Sequence, residues 1–249
     1  MIALARAELL KLRSTRTALG LFIVILVVTV VPLVGLLIFL SPADLASGGL
    51  GAIAVSLVPL VLLVFGILGM TNEYRHGTIT YTYLVTPRRW QVMVTKLVAY
   101  AVVGIITMLA TVVLVYVAIR LGGAIRGVEI DAMGEATLGD YTRQIVVAGL
   151  ITTFGVALGA LLRAQVVTVA AALIWALFVE NIIVVLKPAV GAWLPFTVFQ
   201  QVGAGQTVDA GTPAASEMLT RPAAFIVSLV YIAVVSVAAV FISLRRDVT

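Results

Sequence analysis

The sequence predicts an all-α membrane protein: one transmembrane domain over residues 1–249, with six transmembrane helices and both termini cytoplasmic. Three observations point there. The chain of 249 residues is 62% hydrophobic and only 11% charged, against about 25% charged in a soluble domain, and its mean hydropathy is +1.20. The apolar residues come in charge-free blocks long enough for the ~30 Å hydrocarbon core of a bilayer, which takes about 20 residues of helix. The basic residues fall mostly on one side of those blocks.

Charge-free stretches run over 17–43, 45–72, 97–119, 144–162 and 222–244, and a sixth, 164–186, is broken only by Glu180. Lipid offers no partner to an unpaired backbone group, so each block is expected to be helical. The spans are placed at 18–40, 51–71, 97–119, 144–162, 165–187 and 223–244. Barrel strands would instead need alternating segments of about ten residues, and none is found.

Orientation follows from the positive-inside rule. With both ends cytoplasmic, the inner segments hold 11 basic residues, among them Arg6, Lys11, Arg13, Arg75, Arg88, Arg89, Lys96, Arg163 and Arg245. The outer segments hold 5, namely Arg120, Arg126, Arg143, Lys187 and Arg221. Acidic residues lean the other way, with Asp44, Glu129, Asp131, Glu135, Asp140, Asp209 and Glu217 outside.

Residues 1–17 read as an amphipathic interfacial helix, with Ile2, Ala5, Leu9 and Leu12 at helical spacing and basic residues elsewhere on the wheel. The apolar stretch that follows is longer than the roughly 7–15 residues of a signal-peptide core, so the first span is expected to stay in the mature protein.

Segment 72–96, NEYRHGTITYTYLVTPRRWQVMVTK, is too polar to span. Gly77 and Thr78 can open a short helix and Pro87 can end it. Tyr74, Tyr81, Tyr83 and Trp90 offer amphipathic contact area, while Arg75, Arg88 and Arg89 supply charge. From the residues alone, a solvated interfacial loop fits at least as well as a partner-docking element.

Inside the membrane the informative residues are few. Glu180, beside Asn181, sits about two-thirds of the way along the fifth span, where a charge costs about 2.5–3.5 kcal/mol on insertion scales and should face protein or water. Either it bonds structurally to a neighbouring helix, or it lines a translocation path or gate. Ala148, Thr152, Gly155 and Gly159 share one face of the fourth span, and Gly155 to Gly159 is a G-x-x-x-G suited to close helix packing. Pro32 and Pro59 permit bends in the first two spans. The outer segment 188–221 starts apolar and aromatic, with Trp193, Pro195 and Phe196, and becomes polar. Short re-entrant or interfacial helices are expected before the sixth span, either as a gate or as an aromatic-belt anchor.

Glu73, Arg75, Gly77, Thr78, the Leu84-x-Thr86-Pro87-x-Arg89 run and Lys96 resemble the signature after the second span of ATP-binding-cassette type 2 permeases, the membrane subunits of drug, sodium and bacitracin exporters. The resemblance extends over essentially the whole chain. It implies that Glu73, Tyr74, Arg75, His76, Gly77, Thr78, Thr86, Pro87, Arg88 and Arg89 form a coupling helix seated in a cleft of a separate ATPase subunit. It also implies two ATPase copies, a second permease copy (a homodimer or a related chain), a bacterial-type plasma membrane, and an external gate in the segment with Trp193, Pro195 and Phe196, beside the path or gate reading of Glu180 and Asn181 given above. The chain contains no G-x-x-x-x-G-K-[ST] phosphate cradle. No cofactor is therefore expected in this chain, and ATP and Mg²⁺ would belong to the partner ATPase. A largely apolar interior suggests hydrophobic or amphipathic cargo.

Two other classes compete. An ion-coupled secondary transporter would use Glu180, but no inverted repeat relates the halves. An intramembrane enzyme is disfavoured because the sole histidine is His76 and there is no cysteine, which leaves neither a Ser/His pair inside the membrane nor a multi-histidine metal site. Nucleic-acid binding is not expected, since the basic residues track the membrane face.

Overall fold

The computed structural model describes residues 16–41, 44–45, 50–79, 84, 89–128, 130, 135–203 and 217–245. The interfacial helix expected over 1–17 lies almost wholly outside the described residues, as do Thr86, Pro87 and Arg88. The described elements are α1 (Arg16–Phe39), α2 (Leu50–Val55), α3 (Val58–Arg75), α4 (Arg89–Arg126), α5 (Glu135–Leu162), α6 (Gln165–Ile174), a π turn (Trp175–Val179), α7 (Glu180–Leu186), α8 (Pro188–Gly191), α9 (Pro195–Gly203) and α10 (Arg221–Arg245). Six of the resulting helical stretches are long and apolar enough to cross a membrane. The protein is an all-α, multi-pass membrane protein.

Several helices outrun their charge-free blocks. α4 has 38 residues, about 57 Å at 1.5 Å per residue, well beyond the ~30 Å apolar core. Its charged ends remain helical because they find partners: Lys96 pairs with Glu73, and Arg126 bonds three carbonyls at the end of α1. α5 likewise starts at Glu135, before the expected 144, and carries the Asp140–Arg143 ion pair one turn before its apolar stretch. The polar segment expected over 72–96 is correspondingly shorter, since α3 continues to Arg75 and α4 begins at Arg89. Gly77 adopts φ +65° and closes α3, with the His76 and Gly77 amides donating to the Asn72 and Tyr74 carbonyls. This left-handed position suits glycine. Thr78 and Ile79 are helical again.

The second span is broken at Ser56–Leu57, where α2 gives way to α3. Pro59, at the start of α3, brings no N–H to continue the ladder. The Ser56 hydroxyl donates to the Ile53 carbonyl at 2.8 Å and absorbs one freed acceptor.

α5 and α3 form the centre of the bundle. Within their most apolar windows 67% and 56% of residues are buried, whereas the first, fifth and sixth spans show 22%, 17% and 22% and sit at the periphery. The small-residue face of α5 lies inside the chain. A Cβ built on Gly155 would collide with the Leu63 carbonyl oxygen of α3, one on Gly66 would collide with the Thr152 carbonyl, and one on Gly159 would lie 2.8 Å from the Ile67 carbonyl. Backbone thus meets backbone with no side chain between, as small-xxx-small packing requires. Thr152 and Thr153 return their hydroxyls to the Ala148 and Gly149 carbonyls of their own helix at 2.5 and 2.7 Å, so these polar groups carry no unmet bond.

Replacing Gly155 by Leu should separate α3 from α5, at the few kcal/mol that overpacking costs. The expected result is a markedly lower unfolding temperature of the purified protein in micelles. Gly35→Leu, where a new Cβ meets nothing within 4 Å, should leave that temperature nearly unchanged.

Candidate functional site

The polar residues singled out from the sequence gather at two levels of the bundle. The first is the end where α3 leaves the membrane-spanning region and α4 enters it. Glu73, in the last turn of α3, and Lys96, in the second turn of α4, form an ion pair at 2.9 Å, with side chains only 9% and 1% exposed. Lys96 also lies 5.7 Å from the centre of the Tyr100 ring. Taking two charges out of water is costly, and the pair offsets that cost only while both members are present. Glu73 is therefore turned into the bundle, where it ties together the two roots of segment 72–96.

Next to this pair, Tyr74 stacks with Arg163, whose guanidinium carbon lies 5.2 Å from the ring centre. Arg163 sits in the two-residue link between α5 and α6 at φ +59°, an unfavourable position for a residue with a Cβ. Arg75 reaches Gln165 at the start of α6 at 3.1 Å. Ile79 is buried in a cluster with Phe65, Met70, Met93 and Tyr100. The start of the loop is thus tied to α4 by charge, to the α5–α6 link by stacking, and to the core by an apolar side chain. Arg75, His76, Gly77 and Thr78 remain exposed, together with Leu84 and Trp90. Of Arg89 only the helical backbone is described.

The second level surrounds Glu180. The chain before it widens into a π turn, with the Glu180 amide bonded to the Trp175 carbonyl. An i→i+5 turn of this kind brings Trp175 and Glu180 onto one face. The indole Nε1 donates to Glu180 Oε1 at 2.7 Å. Across the bundle, Pro195 opens α9, and the first free amides of that helix point at the same carboxylate: Phe196 N to Oε1 at 3.1 Å and Thr197 N to Oε2 at 2.7 Å. The Thr197 hydroxyl adds a fourth bond at 2.9 Å. Glu180 therefore caps the N-terminus of α9 from another helix, in the place where orphan amides and the helix dipole favour an anion. Glu180 is buried to 2% exposure, and all four partners are donors, which a carboxylate accepts and a carboxamide cannot match.

Asn181 is separate from this cluster. It donates to the Ala176 and Leu177 carbonyls of its own helix, at 3.1 and 3.0 Å, and stabilises the π turn. Phe196 packs edge-on against Phe154 of α5 at 5.8 Å between ring centres. Trp193 is exposed, but its carbonyl accepts from Tyr231 of α10 at 2.6 Å. Gln201 adds a strap, donating to the Ala192 carbonyl and accepting from the Leu219 amide. α8 and α9 are consequently a bonded plug that descends about 10 Å, the seven residues of helix from Lys187 to Glu180. Gly155 and Gly159 belong to neither level and serve the α3–α5 contact.

Arg126, Arg163, Gln201 and Tyr231 carry much of this arrangement and were not singled out from the sequence. Each bonds a residue at least 18 positions away, so no local pattern marks it. Lys96, which the sequence marks only as an inner basic residue and as part of the loop signature, holds the buried ion pair.

Two expectations follow. Glu73→Gln or Lys96→Met alone should cost about 3–5 kcal/mol, the usual penalty for stranding one buried charge. The double replacement should cost less than the sum, as read by thermal unfolding in a double-mutant cycle. Glu180→Gln should loosen α9: a cysteine introduced at buried Val198 in this cysteine-free chain should resist a polar maleimide in the parent background and react in the Glu180→Gln background.

The sequence has no match among curated protein sequences. Residues 47–249, from just before the second span to the end of the chain, match a family described as a protein of unknown function, DUF2705, and the chain belongs to that family.

Proposed function

We propose that the protein is the membrane-spanning permease subunit of an ATP-driven exporter of the ATP-binding-cassette type 2 kind. The observation that carries this reading is the anchoring of segment 72–96. An exposed surface comprising Arg75, His76, Gly77, Thr78, Leu84 and Trp90 stands on roots tied to α4 by the Glu73–Lys96 pair and to the α5–α6 link by Tyr74 and Arg163. A push on such a surface moves two membrane helices and the turn between two others, which is what a receiver of a mechanical stroke requires. Exposed Trp and Arg are also the residue types that dominate binding energy at protein interfaces.

In this reading a separate ATPase subunit, in two copies, binds ATP and Mg²⁺ and presses on segment 72–96 from the cytoplasmic side. A second copy of the permease completes the path in a bacterial-type plasma membrane. The basic bias of the segments on the loop side supports cytoplasmic termini. The cargo is hydrophobic or amphipathic. The ion-coupled alternative needs a carboxylate free to take an ion, and the Glu180 oxygens are occupied by four donors of the chain itself.

The chain should co-purify with a Walker-type ATPase encoded in a neighbouring reading frame, and the pair should drive ATP-dependent transport of a lipophilic dye in vesicles. Arg75→Ala combined with Trp90→Ala should weaken retention of the ATPase about tenfold or more without lowering the unfolding temperature of the permease. Undiminished retention in that variant, or transport that follows an ion gradient without any ATPase, would overturn the proposal.

A further inference from the structure

At the end of the bundle away from segment 72–96, a cavity of about 670 Å³ opens between α2, α3, α5, the π turn and α9. Its size falls in the range of about 300–1,000 Å³ in which proteins take up small organic molecules. Phe196 and Phe199 of α9, both buried, form an aromatic wall braced on Phe154. The polar groups are few: Ser56, Asp140, Gln144 and Gln200. Such sparse polar groups in an apolar cavity are what orient a bound ligand.

Their arrangement defines the ligand. Asp140 and Gln144 are four residues apart on α5 and so stack on one helical face, with Val147 and Ile151 continuing the same lining deeper along the helix. The lining thus grades from anionic to apolar along a single line. Among the described residues, Asp140 is the only charged one in it. Arg143 pairs with Oδ1 of Asp140 without itself lining the cavity. Gln144 Oε1 is buried with no hydrogen-bond partner, and buried acceptors are normally satisfied. The second Asp140 oxygen, one unmet acceptor and an aromatic wall together complement a molecule with an N–H-bearing cationic head and an apolar body.

We propose that this cavity is a binding site for amphipathic ammonium compounds, with the head at Asp140 and Gln144 and the apolar body against Phe196 and Phe199. The shared chemistry is a primary or secondary ammonium on a hydrophobic group, which either a soluble lipophilic amine or the headgroup of an amino-phospholipid supplies. Binding of this kind needs neither an ATPase nor transport, so failure of the exporter reading would leave it standing.

The test uses the full-length chain in lipid nanodiscs and dansylcadaverine, a fluorescent primary ammonium, with its N-acetylated, uncharged derivative as the matched control and empty discs as the blank. Saturable, one-to-one binding of the amine is expected, with the acetylated compound about tenfold weaker or more. Asp140→Asn and Gln144→Leu should each weaken the amine by about tenfold. Leu57→Trp, at a lining position that is itself half exposed and so tolerant of the larger side chain, should block it. Discs of phosphatidylethanolamine in place of phosphatidylcholine, which has the same net charge but no N–H on its ammonium, distinguish the source: weaker probe binding in phosphatidylethanolamine identifies the lipid ammonium as an occupant, and unchanged binding identifies the soluble amine. Equal binding of the amine and its acetylated form, or binding unaffected by all three substitutions in variants with parental unfolding temperatures, would overturn the proposal.

Discussion

Backbone contact between α3 and α5 is the constraint on which the other elements depend. Gly66, Gly155 and Gly159 let the two helices touch main chain to main chain, and no hydrophobic driving force between helices in lipid would hold a looser contact in one place. α4 packs beside α3 on the same small-residue face of α5, where Gly104 approaches the Ala148 carbonyl and the Thr152 side chain. α10 and α9 also pack against α5. The peripheral spans turn large apolar side chains such as Phe22, Phe178 and Phe241 outward.

Close packing leaves the polar groups with few options, and the structure satisfies them with three long-range staples. Glu73 and Lys96 neutralise each other where α3 and α4 meet. Arg126 supplies donors to the terminal carbonyls of α1, a C-cap delivered from another helix. Glu180 supplies acceptors to the first amides of α9, an N-cap delivered in the same way. Each staple meets a need that water would meet in a soluble protein and that lipid cannot. Two of them also bear on the proposed function. The Glu73–Lys96 pair stiffens the base of the segment assigned to the ATPase contact, and the Glu180 cap fixes the plug that walls the cavity.

Legibility from the sequence varies along the chain for physical reasons. Span number was legible because the cost of exposing backbone to lipid forces about 20 apolar residues into each crossing. The small-residue face of α5 was legible because its spacing is local to one helix. Glu180 stood out because a lone carboxylate in a span is costly. Its role was not legible, since its partners lie 16 and 17 residues further on, at the start of a short helix with no strong local signal. Helices α4 and α5 extend past the expected spans for a related reason: a charge ends a span in a hydropathy reading, but it does not end a helix when a partner such as Glu73 or Arg143 is at hand.

The sequence by itself determined the class of the protein and the number of its apolar spans, because these depend only on the price of placing a given residue in lipid. Tertiary structure decided what the few polar residues do. It turned Glu73 inward to Lys96, left Arg75 and Trp90 exposed, gave Glu180 four donors and set Asp140 and Gln144 along the wall of a cavity. Those assignments depend on which helices lie side by side, and in an apolar bundle that choice rests on backbone approach at a few glycines rather than on any local pattern of residues.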